Sequence, residues 1–340
     1  MNAWKRVLLL CLLYIPAVAS RDKYAADFLD MGVGAKALSM GMAFTGVSDD
    51  GTAFYWNPAG FSMLGKPCIS AMVAPQFGFR DAMAELYLLG IYSPIDRNAG
   101  ISVNWLRLYI GDIPVYPELE GSSYAQRLYD KSLRPSGIPE GCVHFVTDAL
   151  YFSFSRVHRL EMDLGWQFHR VGIDISYGTN IKVLRCVMGE YRASGIGLDM
   201  GMMMRIHLDD FFQIERFGTL VLAVNGMDVT STRLSWNTRF AESRSGRFRT
   251  GLSFFKPLPG RGGRFLFSFD HEMLYDSYCM GMEYEIYAFS LRLGIYDRHI
   301  TCGAGMRIKN FQLDYALFPH ELGPAHRINF TWFLSPFTSD

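Results

Sequence analysis

Apolar and polar side chains alternate with a period of two over most of the chain beyond residue 68, as in β-strands with one apolar face. The longest run puts Ile196, Leu198, Met200, Met202, Met204, Ile206 and Leu208 on one face, and Gly197, Asp199, Gly201, Met203, Arg205 and His207 on the other. Towards the C-terminus Tyr287, Phe289, Leu291, Leu293 and Ile295 oppose Ala288, Ser290, Arg292, Gly294 and Tyr296. Segments 300–308, 311–318 and 326–334 repeat the scheme. At Trp105 and Leu106 the phase slips, which predicts a β-bulge.

Candidate strands fall near 68–75, 85–92, 100–110, 148–157, 161–170, 173–185, 195–208, 217–225, 247–256, 264–272, 278–286, 288–296, 300–308, 311–318 and 326–334. That is about fifteen, whereas bacterial single-chain barrels have even numbers. One strand fewer within 148–208 gives about fourteen and puts both barrel ends on the periplasmic side. Residues 111–147 and 226–246 then become long outer loops, and Lys309-Asn310 and Pro257–Gly263 short turns.

Alternation alone also fits a soluble sandwich. Three features favour a transmembrane antiparallel β-barrel. Strands of about 8 to 13 residues suit a tilted membrane crossing better than a soluble sheet. The polar faces carry glycine and both signs of charge, including Asp163, His169, Lys182, Arg205, Asp270, Glu283, Arg292, Arg307 and Arg327, as a wet or plugged lumen requires. Aromatics crowd strand ends as interface girdles do: Tyr87, Tyr92, Tyr109, Tyr151, Trp166, Tyr284, Tyr287, Tyr296 and Trp332.

Composition agrees. Hydrophobic residues make up 49% of the chain and aromatics 15%, with no stretch after the first twenty residues long enough to span as a helix. Lys plus Arg and Asp plus Glu number 33 each, which argues against a nucleic-acid partner. At the N-terminus Lys5 and Arg6 precede the apolar run Val7–Ile15, then Pro16, Ala17, Ala19 and Ser20. Residues 1–20 thus form a secretory signal, cut after Ala19 or Ser20. The remaining Cys68, Cys142, Cys186, Cys279 and Cys302 are odd in number and lack paired spacing, so they are expected to be apolar fillers. There is no metal-ligand spacing and no G-x-S-x-G elbow. Asp49-Asp50 reads as a turn with Gly51, and His169 and His207 as solvated strand residues, so neither an enzyme nor a cofactor is expected.

Residues 24–67 differ, being rich in Gly and Ala without alternation. Gly32, Gly34 and Ala37 spell G-x-G-x-x-A, but no buried strand precedes them and no βαβ unit follows, which excludes a dinucleotide site. The segment carries Gly34-Ala35-Lys36-Ala37, Met40-Gly41, Ala43-Phe44, Asp49-Asp50 and Tyr55-Trp56-Asn57-Pro58-Ala59-Gly60. With Leu322-Gly323 and the closing His326-Arg327-Ile328-Asn329-Phe330, it resembles the FadL-like outer-membrane proteins, specifically their PorV/PorQ branch.

The resemblance implies an outer-membrane barrel of about fourteen strands over 68–334, with residues 21–67 folded inside as a hatch. A tail, 335–340, follows, where Phe333 or Phe337 supplies the usual terminal aromatic. Pro58 fixes φ, Gly60 permits a positive φ and Asn57 can close an Asx turn, so this stretch favours a compact bend. Hatch and gating candidates are Phe54, Trp56, Asn57, Pro58, Ala59 and Gly60. The implied role is passive transport of long-chain fatty acids or similar hydrophobic compounds, with Lys182, Arg205, Arg292 or Arg307 meeting the headgroup. Expected partners are that ligand, outer-membrane lipid and the barrel-assembly machinery, with the chain a monomer. The alternatives are a PorV-like protein holding secreted clients at the surface, or a surface adhesin or structural barrel displaying loop 111–147.

Overall fold

A strand exposes unpaired N–H and C=O groups along each edge, so a sheet can sit in hydrocarbon only if its edges meet. The computed structural model describes residues 26–76, 82–118, 121, 123–133, 138–163, 165, 170–258, 263–319 and 323–334. Its strands are β1 (Cys68–Gln76), β2 (Ala84–Pro94), β3 (Ala99–Val115), β4 (Gly141–Asp163), β5 (Arg170–Met188), β6 (Tyr191–His207), β7 (Thr219–Met227), β8 (Thr232–Trp236) and β9 (Ala241–Arg244). They continue with β10 (Arg247–Leu258), β11 (Gly263–Glu272), β12 (Ser277–Ile286), β13 (Phe289–Tyr296), β14 (His299–Ile308), β15 (Phe311–Phe318) and β16 (Ala325–Phe333). Each ring strand pairs antiparallel with its neighbours, and β1 against β16, Cys68 opposite Phe333, closes a barrel of 14 strands. β8 and β9 stand outside that count as a hairpin on β6. The signal at 1–20, Trp166, His169, Leu322, the centre of the 257–263 turn and the tail 335–340 lie outside the described residues.

The surplus strand is in 148–208. Three strands occupy that region, because β4 runs unbroken through the gap expected between 157 and 161. The sequence from 226 to 246 is a loop only in part, since it contains β8 and β9. The ladder at Trp105 and Leu106 is regular, opposite Leu89 and Leu88; the irregularity lies instead between Ile110 and Ile113, where Asp112 has φ 52°. Leu106 and Leu108 point inward and are buried, so both faces of β3 are apolar and the phase only looks displaced. β6 ends at His207, and Leu208 begins a short helix, α4 (Leu208–Phe212), that follows α1 (Ala35–Ser39), α2 (Ala53–Trp56) and α3 (Tyr124–Tyr129) in the chain.

The outer wall is apolar and open: Ile196, Leu291 and Ile300 are 68%, 65% and 70% exposed. A continuous belt of this kind has to face lipid. Strands of 8 to 10 residues from β12 to β15 match its height, whereas β3 to β6 project beyond it on the side of the long 116–140 connection. That end is called the long-loop side; the other, where β1 starts and β16 stops, is the termini side.

Residues 26–67 lie inside the ring as a plug. Wall side chains satisfy its backbone: Asp270 accepts from the N–H groups of Phe44 (2.9 Å) and Thr45 (2.7 Å), and Asn180 donates to the carbonyl of Phe54 at 2.6 Å. Inward glycines make the close approach possible. A Cβ on Gly294 would fall on the backbone of Gly41, one on Gly281 on that of Met40, and one on Gly178 on that of Pro58. Three aromatics expected in the girdle serve the interior instead: Tyr92 stacks on Phe61, Tyr151 packs against Phe54 at 4.8 Å, and Tyr296 meets Phe318. Cys68, Cys186 and Cys279 are buried free thiols.

Because plug and wall touch backbone to backbone at Gly294, Gly294→Val should overpack that contact and cost about 1–3 kcal/mol. Thermal unfolding in detergent, together with proteolysis of residues 26–67, checks this. The outward Cys302→Val should leave both readouts unchanged.

Candidate functional site at the plug seam

The Asn57-Pro58-Ala59-Gly60 bend is where plug and wall interlock. Asn57 Oδ1 accepts from the N–H of Ala59 (3.1 Å), capping the 3-10 turn Pro58–Met63 in which Pro58 takes the first position. Its Nδ2 lies within reach of three carbonyls: Thr45 in the plug (3.2 Å), Met202 on β6 (3.3 Å) and Val224 on β7 (3.4 Å). Gly201 leaves the room that this side chain occupies. Ala59 packs with Met203, Val221 and Ala223, and Gly60 lies so close to Ser48 that a Cβ would meet its carbonyl. Phe54 and Trp56 are buried; the Trp56 indole donates to Val33 at 2.7 Å, and Arg249 lies 5.1 Å over its ring. Asn57, Pro58 and Ala59 thus meet the wall at β5 to β7, Phe54 meets Tyr151 of β4 and Trp56 meets Arg249 of β10, while Gly60 packs within the plug.

Just beyond this contact the wall is interrupted. Asp228 and Ser231 both take φ 53°, which breaks the ladder between β7 and its continuation along β6, β8. The break is bridged by one backbone bond, Val229 N–H to the Leu198 carbonyl at 2.9 Å, and otherwise by charge. Lys182 Nζ lies 2.8 Å from Asp199 and 2.7 Å from Asp228, and Asp228 also accepts from Arg244 Nε at 2.9 Å and from the Thr232 hydroxyl. Arg244 reaches on to Asp30 in the first turn of the plug, to which Arg247 also binds at 2.8 Å. Arg247 and Arg249 share Glu272. Buried charges are tolerated only when paired in this way, and removing one partner strands the others. Asp30, partly exposed on the long-loop side, is therefore linked through one guanidinium to the break in the wall.

The four cations expected to meet a headgroup divide between two places. Lys182 belongs to the break and is spent on two carboxylates. Arg205, Arg292 and Arg307 line a cavity of about 610 Å³ beneath the plug on the termini side. Arg292 is held there by Glu283 (2.5 Å) and Asp314 (2.7 Å). Among the described residues no carboxylate lies within 4 Å of Arg205, which packs over Phe255, or of exposed Arg307, which packs over Phe333. The plug side of the cavity carries Asp49, bound to Lys36 at 2.8 Å and to Arg264. Burial alone would raise the Asp49 carboxyl, but Lys36 and Arg264 hold it below the usual carboxylate range. Burial pushes neighbouring Asp50 up to about 6, and the charge on Asp49 adds to the effect. Asp50 also accepts from the N–H and hydroxyl of Thr52, so Asp49-Asp50 forms a turn as well as an electrostatic pair.

No family model matches the chain, and no curated protein does. Among solved structures, the toluene transporter TodX of P. putida aligns with 89% of this chain and 99% of its own, at 10% identity and a TM-score of 0.50. The fold is FadL-like. The Ralstonia pickettii toluene transporter TbuX (10% identity, 89% of this chain, 99% of that one, TM-score 0.43) and a Pseudomonas aeruginosa FadL homologue (11%, 89%, 98%, 0.44) also align along almost their whole length. Within this FadL-like barrel, Asp30, Asp228, Arg244 and Arg247 escaped sequence reasoning. Three of them lie in or beside the stretch assigned to a loop, where alternation is too short to reveal which side chains point inward.

The folded Asp50 value of about 6 lies above its ordinary 3.8, so the group favours the native state below pH 4 and that contribution is lost as pH rises through 6. Thermal unfolding between pH 4 and 7 should therefore show stability falling with pH through this window, and Asp50→Asn should flatten that slope.

Proposed function

We propose that the chain is an outer-membrane conduit that passively admits hydrophobic small molecules bearing an anionic headgroup, long-chain fatty acids foremost, past a plug that acts as a hatch. The observation that carries this reading is the shared cation: Arg244 binds Asp30 of the plug and Asp228 of the wall break. A carboxylate arriving from the long-loop side competes with Asp30 for Arg244 and Arg247. Taking that place frees the first turn of the plug, while Lys182 and Arg244 keep their hold on Asp228 at the break. The hydrocarbon tail then has an exit into the lipid through the wall, where each methylene withdrawn from water gains about 0.8 kcal/mol. The alternative, straight passage through the termini-side cavity, would put the tail among paired charges; Arg205 and Arg307 there are left as secondary headgroup contacts.

Likeness of fold to a toluene transporter supports the hydrophobic class, and the Gly34–Phe44 and Tyr55–Gly60 runs support the PorV/PorQ affinity. A second reading, retention of secreted protein clients, is favoured by exposed Tyr116, Tyr124 and Tyr129 on the long-loop side, since tyrosine is enriched at protein interfaces. Copurification of a protein client rather than lipid separates the two.

Asp30→Asn weakens the plug's hold on Arg244 and Arg247, so oleate uptake into proteoliposomes should rise severalfold, while Arg247→Gln should lower it. Equal uptake by Asp30→Asn and the unaltered protein would remove the latch from the account.

A further inference from the structure

The geometry points to a binding site for a phosphorylated lipid on the outer wall, where β5, β6 and β8 leave the apolar belt on the long-loop side. Residues of equal parity share a face, and the register fixes who neighbours whom. Ser194 of β6 stands opposite Arg185 of β5 and opposite Ser235 of β8. Arg192 lies two residues from Ser194 on its own strand, opposite Val187, and Arg233 lies diagonally from it, opposite Ile196. Val183, Ile196, Met200 and Met202, of the same parity on β5 and β6, are exposed outward, so the three arginines point outward too.

All three are exposed, and among the described residues no carboxylate lies within 4 Å of any of them. Arg185 and Arg192 are diagonal neighbours, which in a sheet stand roughly 7–8 Å apart, a spacing that two long guanidinium side chains close around one tetrahedral oxyanion; Arg233 is diagonal to Ser194 and flanks the pair. The Ser194 hydroxyl supplies a further donor at the centre.

The occupant is set by what lies below. Level with Arg233, and below Arg185 and Arg192, come Val183 and Ile196, followed by Ile181 and Met200; at 40%, 68%, 52% and 53% exposed they form an apolar wall for acyl chains. A free phosphate would use the arginines and leave that wall idle, whereas a phosphorylated lipid covers both. Among the described residues, three outward arginines are grouped this closely on this arc. Elsewhere the same border carries aromatic and histidine side chains, with His271 stacked on Tyr278 at 4.6 Å and Tyr315 bonded to His326 at 2.8 Å. Of the acidic neighbours, Asp148 sits opposite Arg185 but is already held by Arg107 at 2.7 Å, and Glu190 lies exposed in the turn two residues before Arg192, with no ion pair to it among the described residues.

The inference depends on the barrel lying in a membrane and is independent of what it transports. The test is native mass spectrometry of the detergent-solubilised full chain titrated with lipid A, dephosphorylated lipid A or phosphatidylethanolamine. The unaltered protein should prefer lipid A over the dephosphorylated form, and the triple variant Arg185→Gln, Arg192→Gln, Arg233→Gln should bind lipid A about tenfold more weakly, as the loss of one strong charge-assisted contact implies. These side chains are solvated, so folding should survive, and retention of the unheated barrel's gel mobility shows that it has. Equal retention of both lipid A forms, or unchanged binding by the folded triple variant, overturns the site. Failure to retain any lipid overturns it as well, and additionally removes the membrane reading beneath it.

Discussion

Backbone laid directly on backbone, between the plug and the inward face of the strands, is the contact from which the other features of this barrel follow. A ring of fourteen strands encloses more space than its own inward side chains fill. Residues 26–67 fill it only because Gly178, Gly281 and Gly294 leave the wall without side chains where the plug runs closest. At that distance water is excluded, so every plug N–H and C=O must find a partner in the protein. Asp270, Asn180 and Asn57 are placed to provide those partners.

Excluding water also decides how charge is arranged. Lys182, Asp199, Asp228, Arg244 and Arg247 sit where unpaired ions would be strongly destabilising, and they form a chain of contacts with no spare partner for the carboxylates. Through Arg247 the chain runs on to Glu272 and Arg249, and Asp30 is its one partly exposed member. A plug tied to the wall through paired buried charges is the consequence; under the proposed mechanism an arriving carboxylate takes the place of Asp30 without changing the charge of the network.

Much of the barrel was legible in the sequence, for reasons specific to strands in lipid. Alternation in β6 and β13 to β16 survives because one face must be apolar throughout and the other must meet the plug. It failed at β3, where Leu106 and Leu108 meet an apolar part of the plug and both faces look alike, and at Tyr92 and Tyr151, whose aromatic character suits either a membrane border or a packed interior. The plug was visible through its motif rather than its pattern, since a segment buried on all sides has no periodic contrast. The pairing of Asp30 with Arg244 was not visible: the two lie 214 residues apart, and nothing local distinguishes them from surface charges. Of the four headgroup candidates, Lys182 alone belongs to that network, and there it is already paired.

The most direct measurement is the distance between the first turn of the plug and the wall, with and without ligand. Spin labels at Ala26→Cys and Asp276→Cys, with exposed Cys142 and Cys302 changed to serine, report it by pulsed electron resonance in nanodiscs. A single narrow distribution at rest that broadens and lengthens in saturating oleate is the result the latch predicts. A distribution that oleate leaves unchanged, in protein shown to transport it, would contradict the account.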